Sequence, residues 1–398
     1  MRTELDRRSR GYRRASLAAA FVIAGSMVAA CGSGGASSKA QSTIASSTGS
    51  DQAGLAAAQS NVRTATAVNT GFTSPGASFD SSKLRGKKIW VITFLSVPFA
   101  QQSVQGLKEA AAAVGATVTA VDGSAGVDAY QRGIKQAIAQ KADAIIIGTL
   151  NPSLFRADLA VAHAKGIKVI AVSSQAPGTS PAAGDPVDGF VDPCYKCAGG
   201  LMADSAITDS KGKADVLVLW SSDVKIPGEA QLSAIQAEFG TNCPGCRVKV
   251  QDVPAAQWAT RLQPVTQSAV SSDPKLDYIL PLYDGMVTFM VPGIRAANAQ
   301  TRVKISSFNA TPAVMQQIGS GGVVLSDVGI GSVRYGWGWA DQTFRVLSGV
   351  PAVTDEKLPV RLFDASNVGS INLTASTDPW YGSVDYRSEY KKLWGLTS

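Results

Sequence analysis

Two stretches of this chain are echoed further along at nearly one separation, which points to a duplicated topology. Lys141-Ala-Asp-Ala-Ile-Ile-Ile returns as Lys275-Leu-Asp-Tyr-Ile-Leu-Pro, and Lys168-Val-Ile-Ala-Val-Ser as Lys304-Ile-Ser-Ser-Phe-Asn, at offsets of 134 and 136 residues. Both lie within an alternation of short β-branched runs and longer amphipathic runs that begins near Leu84. In the first half the spacing predicts strands at 88–94, 117–121, 144–147 and 168–172, with helices at 100–114, 129–140 and 153–165 between them. The second half predicts helices at 195–209, 229–239, 260–271 and 287–298, with strands at 214–220, 247–250, 278–280 and 303–308. Such alternation implies parallel sheets with helices on both faces. About 315 residues follow Leu84, enough for two domains of ordinary size. The expected class is α/β, with two Rossmann-like lobes facing a central cleft. Open sheets of this kind bind ligands beyond the carboxyl ends of their strands.

The first thirty residues read differently. Six arginines and two acids fall within residues 1–16, and an uncharged run from Leu17 to Ala30 follows. A basic segment before an apolar one of that length is a secretory signal, too short to span a membrane. It ends Met27-Val28-Ala29-Ala30-Cys31-Gly32, which resembles the lipobox of bacterial lipoproteins, with Val28 where leucine is usual. That resemblance implies cleavage before Cys31 and acylation of its thiol, so residues 1–30 are the expected signal peptide. Arg13-Arg14 also raises twin-arginine export, though the residues after it fit that motif poorly. Removing residues 1–30 leaves 31 basic and 28 acidic side chains, a net charge of +3 rather than +7. The basic balance therefore belongs mostly to the leader, and no nucleic-acid partner is expected. Residues 31–83, rich in Gly, Ser, Ala and Thr, read as the lipidated N-terminus and a flexible tether, because so few large apolar groups offset little chain entropy.

Four further cysteines form two CxxC pairs, Cys194/Cys197 and Cys243/Cys246. Two such pairs suggest a zinc site. The order of elements argues otherwise: the first pair precedes a helix, the second follows one, and a helix of about twelve residues is roughly 18 Å long. Two local disulfides in an oxidising envelope are the expectation, with a thioredoxin-like redox role as the sharper alternative. No metal and no cofactor are expected. His163 is the single histidine, so triads and dyads built on histidine have little to draw on. Gly329, Gly331, Gly336 and Gly338 do not form a dinucleotide fingerprint, and read instead as hinge and close-packing positions. The chain reads as a binder, not an enzyme.

The segment 89–106 with Pro98-Phe99, the runs 133–147 and Gly166-Ile-Lys-Val-Ile-Ala-Val-Ser-Ser, Tyr283-Asp284-Gly285 and Ser307-Phe308-Asn309-Ala310-Thr311-Pro312 together resemble the type I periplasmic binding proteins, in their ribose-type sugar-binding subset. The resemblance runs from about Lys87 to Asn367. It implies three passages of chain between the lobes, near 190, 329 and 353. The N-terminal lobe would then hold 84–190 plus 330–352, the C-terminal lobe 191–329 plus 353–375, and 376–398 would be a C-terminal tail, with Tyr386, Tyr390 and Leu393-Trp394 at helical spacing. It also implies a lipoprotein on the outer face of the cytoplasmic membrane that hands a small molecule to an ABC permease and its ATPase. A monomer is expected, and the ligand-binding subunit of a membrane signalling receptor is the alternative.

By position, the resemblance places Phe99, Ser173, Ser174, Gln175, Glu229, Tyr283, Asp284, Asn309 and Asp327 around the ligand. Departures from the family pattern bear on what that ligand is. Val97 stands where asparagine is common, Ser173-Ser174 replaces an Asp-Arg pair, Glu229 stands near a usual arginine, and Asn309 replaces an aspartate. Without the planar forks of two arginines, the expected ligand is sugar-like but less hydroxylated than a hexose, or an aromatic or an amine. It would be stacked by Phe99, Tyr283 and Trp220, with Glu229 and Asp284 favouring a cation.

Overall fold

The computed structural model describes residues 39–174, 184–319, 322–374 and 378–396. Residues 46–398 cluster as one unit, and of the first unit, Met1–Ala45, only the opening turns of a helix, α1 (Lys39–Thr66), are described. The signal segment, Cys31 and Gln175 lie outside the described residues.

The first lobe carries β1 (Lys88–Thr93), β2 (Thr117–Asp122), β3 (Ala144–Gly148), β4 (Lys168–Val172) and β5 (Gly189–Val191), all parallel, in the order β2-β1-β3-β4-β5. Parallel neighbours require crossover connections, supplied by α2 (Pro98–Ala113), α3 (Val127–Ala139) and α4 (Arg156–Ala164). Central β3 is buried along its whole length, as a strand covered on both faces must be.

The second lobe repeats the plan. It contains α5 (Tyr195–Asp209), β6 (Asp215–Trp220), α6 (Lys225–Asn242), β7 (Arg247–Asp252), α7 (Trp258–Ser272), β8 (Tyr278–Pro281), α8 (Asp284–Ala296), β9 (Lys304–Phe308), α9 (Pro312–Met315) and β10 (Val324–Ile330). A last strand, β11 (Val360–Asp364), pairs antiparallel with β10, and the sheet order is β11-β10-β9-β8-β6-β7. The echoed sequences are equivalent central pairs: Ala144 lies opposite Lys168 in the first sheet, and Tyr278 opposite Lys304 in the second.

Between β10 and β11 the chain returns to the first lobe as α10 (Ser332–Ser348), which packs along α2. The approach is close enough that a Cβ on Gly336 would overlap the Ser103 carbonyl, and one on Gly106 the Val333 carbonyl. Only glycine tolerates backbone contact of that kind.

Residues 51–83 correct the tether reading. α1 lays Leu55, Ala58, Val62 and Ala65 against the apolar cluster of the second lobe, and Ala58 is fully buried. Alanine is the strongest helix former, and its small side chain brings the helix backbone close to its support; Gly54 sits directly on Asn242. Phe72 and Phe79 then join the core of the first lobe. The C-terminal residues do so too: α11 (Tyr386–Leu393) and Trp394 are buried there, with Trp394 stacked on Trp337 at 5.3 Å.

Candidate ligand-binding site

A cavity of about 190 Å³ lies between the lobes at the carboxyl ends of both sheets. The first lobe supplies Phe94 just past β1, Phe99 at the start of α2, Thr149 past β3 and Ser173 past β4. Tyr195 stands at the first passage between lobes. The second lobe supplies Trp258 as the first residue of α7, Tyr283 before α8, Phe308 ending β9, and Asn309. Six aromatic rings thus meet around one space.

Of their polar ends, that of Trp258 is engaged away from the cavity, whereas the buried Tyr283 hydroxyl has no hydrogen-bond partner among the described residues. Trp258 Nε1 donates to Ser221 Oγ at 2.9 Å and to the Val253 carbonyl at 3.1 Å, and the ring lies 6.2 Å from that of Tyr283. Burial raises the Tyr283 phenol, partly offset by the Gln231 carboxamide beside it. Burial likewise raises Tyr195 well above the usual phenol range, so both rings stay neutral. Ser173, in the left-handed region at φ 57°, has its hydroxyl 2.9 Å from Tyr335 Oη, which itself donates to the Val191 carbonyl. Thr149, Ser173 and Asn309 are the aliphatic polar side chains at the wall, and no charged side chain lines it among the described residues.

Beneath Asn309 lies a buried carboxyl pair. Asp284 accepts hydrogen bonds from Ser307 Oγ, Thr311 N and Thr311 Oγ1, each at 2.7 Å. Asp327 accepts the Ala310 N–H at 3.0 Å. Burial raises both carboxyls, and the charge of Asp284 pushes Asp327 further up. Two facing carboxyls in one buried site disfavour ionisation of both at once. Their task is to clamp the loop in which Asn309 and Ala310 take φ values of 132° and 49°.

A larger groove of 630 Å³ runs between β7 and α7, lined by Lys249, Arg261 and Asp273 among others. It lies on the flank of the second sheet, whereas ligands of open α/β sheets gather at the strand ends. The interlobe cavity is the candidate ligand site.

The sequence profile of the periplasmic binding protein domain matches residues 89–349. The chain belongs to this family. Its members are substrate-binding proteins, not enzymes. Solved structures share the fold of this periplasmic binding protein at low identity. A 5-methylthioribose transporter solute-binding protein from Thermotoga lettingae, in complex with 5-methylthioribose, aligns with a TM-score of 0.66 at 17% identity, covering 80% of this chain and 99% of that one. An ABC sugar transporter subunit from Rhodobacter sphaeroides gives 0.63 at 16%, covering 71% and 100%. A solute-binding protein from Mycobacterium smegmatis with bound glycerol gives 0.62 at 18%, covering 72% and 96%. No curated protein matches the sequence.

In this periplasmic binding protein the structure brings Phe99, Ser173, Tyr283 and Asn309 to the cavity. Ser174 does not reach it: the residue is 1% exposed and its N–H donates to Asp192 Oδ1. Asp284 and Asp327 lie under the floor instead of lining it. Glu229 is turned to solvent beside Lys225, its side chain 54% exposed. Helix α6 begins at Lys225, one turn before Glu229, and Pro227 of that first turn faces the cavity in its place. Trp220 lies behind Gly228 and gives way to Trp258 as the indole of the site. Sequence reasoning does not find Phe94, Tyr195, Trp258 and Phe308. A signal for two of them exists: Phe94 directly follows β1 and Phe308 ends β9, the very positions from which ligands are touched.

Both CxxC pairs close as disulfides, with Cα separations of 5.1 Å for Cys194–Cys197 and 5.4 Å for Cys243–Cys246. The first caps α5 around Tyr195, and the second follows the last turn of α6. His163 pairs with Asp188 at 2.8 Å on α4 and takes no part in the cavity.

Proposed function

We propose that this protein is the exported capture subunit of an ABC importer, anchored to the outer face of the cytoplasmic membrane by acylated Cys31. Its ligand is a small neutral solute with a large apolar face and few hydroxyl groups. The passages near 190, 329 and 353 are its hinge, and closure of the lobes presents the loaded form to a permease and its ATPase.

One observation carries the ligand class: six aromatic rings and three neutral aliphatic polar side chains surround about 190 Å³. That volume equals about six waters of bulk liquid, room for one small ring. A hexose would leave several hydroxyls without partners, each costing about 1–3 kcal/mol when buried. A ring with one apolar substituent meets no such penalty, and a thioether gains further from sulfur–aromatic contact. The relative from Thermotoga lettingae holds a ligand of that description. With Glu229 in solvent and Asp284 locked under Asn309, no carboxylate among the described residues remains at the wall to select a cation.

A thermal-shift screen tests this reading, using 5-methylthioribose, deoxy-sugars, hexoses, polyols, amines and small aromatic acids. A ligand at a hundredfold excess over Kd stabilises the folded protein by about 2.7 kcal/mol. The expected result is a shift with apolar-substituted or deoxy-sugars and little with hexoses. A shift with hexoses alone overturns the ligand class, and no shift with any compound counts against transport.

A further inference from the structure

The family profile begins at residue 89 and ends at 349, yet buried structure continues well beyond both ends. The segment after α1 and the segment before α11 each pass from the second lobe to the first. At its second-lobe end the N-terminal segment is tied by the Thr66 carbonyl, which accepts from Arg361 Nε and Asn367 Nδ2, both at 3.2 Å. At its first-lobe end Phe79 N–H donates to the Leu393 carbonyl at 2.9 Å, and Ser81 N–H to that of Trp394 at 3.2 Å. The C-terminal segment starts with Trp380 and Tyr381 packed on Phe363 of β11, at 6.3 and 5.5 Å. It ends with α11 in the core of the first lobe.

The two segments cross side by side. Gly382, at φ 120°, lies so close to the Asn69 carbonyl that a Cβ there would overlap it. They also grip one residue of the hinge. Arg334, in the first turn after the β10–α10 passage, is 5% exposed, with its guanidinium 5.6 Å from the Phe72 ring and 5.4 Å from the Tyr386 ring. One ring comes from each added segment, and desolvated contacts of this type are the stronger ones.

We infer that these segments form a clasp across the hinge, closed on Arg334 by Phe72 and Tyr386, that limits how far the lobes open. Three passages of chain can bend together as a hinge; two more, anchored at both ends by buried groups, must stretch or detach when the cleft widens. The ligand-free protein therefore stays near its closed form. Such preorganisation raises affinity by lowering the cost of closure, and it slows exchange of solute. The device acts without regard to which solute is bound.

Its test needs no ligand. Small-angle scattering of the full ligand-free chain compares wild type with Ala58→Glu, which detaches α1 from the second lobe, and with Phe72→Ala, which opens the clasp at Arg334. A compact body of this size has a radius of gyration of about 20 Å, and each variant is expected to exceed wild type by about 1 Å. Amide exchange in β1 and β8 reports the lobes themselves and is expected to remain protected. Unchanged radii in folded variants overturn the proposal. Loss of protection in β1 and β8 overturns it as well, because the segments would then be needed to fold the lobes and not to limit their opening.

Discussion

Asp284 and Asp327 share the two successive backbone amides that follow Asn309, the first taking Thr311 N–H and the second Ala310 N–H. The pair thereby sets the backbone of a loop whose side chain enters the cavity, while neither carboxyl reaches the cavity itself. The two are not interchangeable. Asp284 accepts three hydrogen bonds, whereas Asp327 is the member pushed well up by burial and by Asp284. In Asp327→Asn the new amide can keep the Ala310 bond through its oxygen and brings no second charge beside Asp284. That substitution is therefore expected to cost under about 1 kcal/mol, and Asp284→Asn about 2–3 kcal/mol through orphaned donors. Urea unfolding of the two variants at pH 7 decides it, and equal losses would contradict the assignment.

Trp258 and Glu229 make a paired test of where the site lies. Truncating Trp258 removes a ring face from the cavity, and an aromatic contact of this size is worth about 2 kcal/mol, roughly a thirtyfold loss in affinity. Glu229→Ala is expected to change affinity by less than about twofold, because its side chain lies in solvent and exposed charges contribute little. Titration calorimetry with the solute found in the screen reads both. A large effect at Glu229 would move the site toward the outer face of α6.

Much of this architecture is legible in the sequence because the hydrophobic period carries it. The strand at Lys88–Thr93 and the echoed pairs at 144–148 and 278–281 fall where β-branched runs predict them. The site is less legible, for a geometric reason. Helices α6 and α7 start earlier than their periodicity suggests, at Lys225 and Trp258 in place of 229 and 260. In α6 the four residues ahead of Glu229 form one further turn toward the cleft, and it is Pro227 of that turn that reaches the cavity while Glu229 lies in solvent. Trp258 escapes because it precedes the apparent start. The region 51–83 reads as a tether because small residues carry little hydrophobic signal, although Gly54 and Ala58 let α1 sit close on the second lobe. Close backbone packing of that sort has no periodic signature in one sequence.

Asp204 gives that helix a dependence on pH. Asn61 Nδ2 of α1 donates to Asp204 Oδ2 at 3.0 Å, and Glu238 of α6 faces the same carboxyl while accepting from Asn242. Burial first, then Glu238, pushes Asp204 up to about 8, against about 3.9 in an unfolded chain. Between those values the folded state binds more protons than the unfolded one, so stability falls as pH rises from about 4 to about 8. Asp204→Asn keeps the acceptor for Asn61 and removes the ionisation. Its melting temperature is expected to match wild type near pH 4 and to exceed it increasingly toward pH 8. A difference that does not vary with pH would rule this out.

Trp394 ties the chain's last helix to a charged network in the core of the first lobe. Its Nε1 donates to Asp341 Oδ1 at 2.6 Å, while Asp341 Oδ2 holds Arg345 Nε at 2.6 Å. Its ring is fully buried between Trp337, at 5.3 Å, and Phe344, at 4.9 Å. Alanine here opens a cavity and strips one donor from a buried carboxylate, for an expected loss of about 3–5 kcal/mol. Phenylalanine restores volume without the donor, so Trp394→Phe is expected to recover the cavity term and leave about 1–3 kcal/mol of loss. Denaturant titration of both variants separates the two contributions. Equal stability of Trp394→Ala and wild type would show that the first lobe folds without the C-terminal segment, and the clasp across the hinge would lose its anchor.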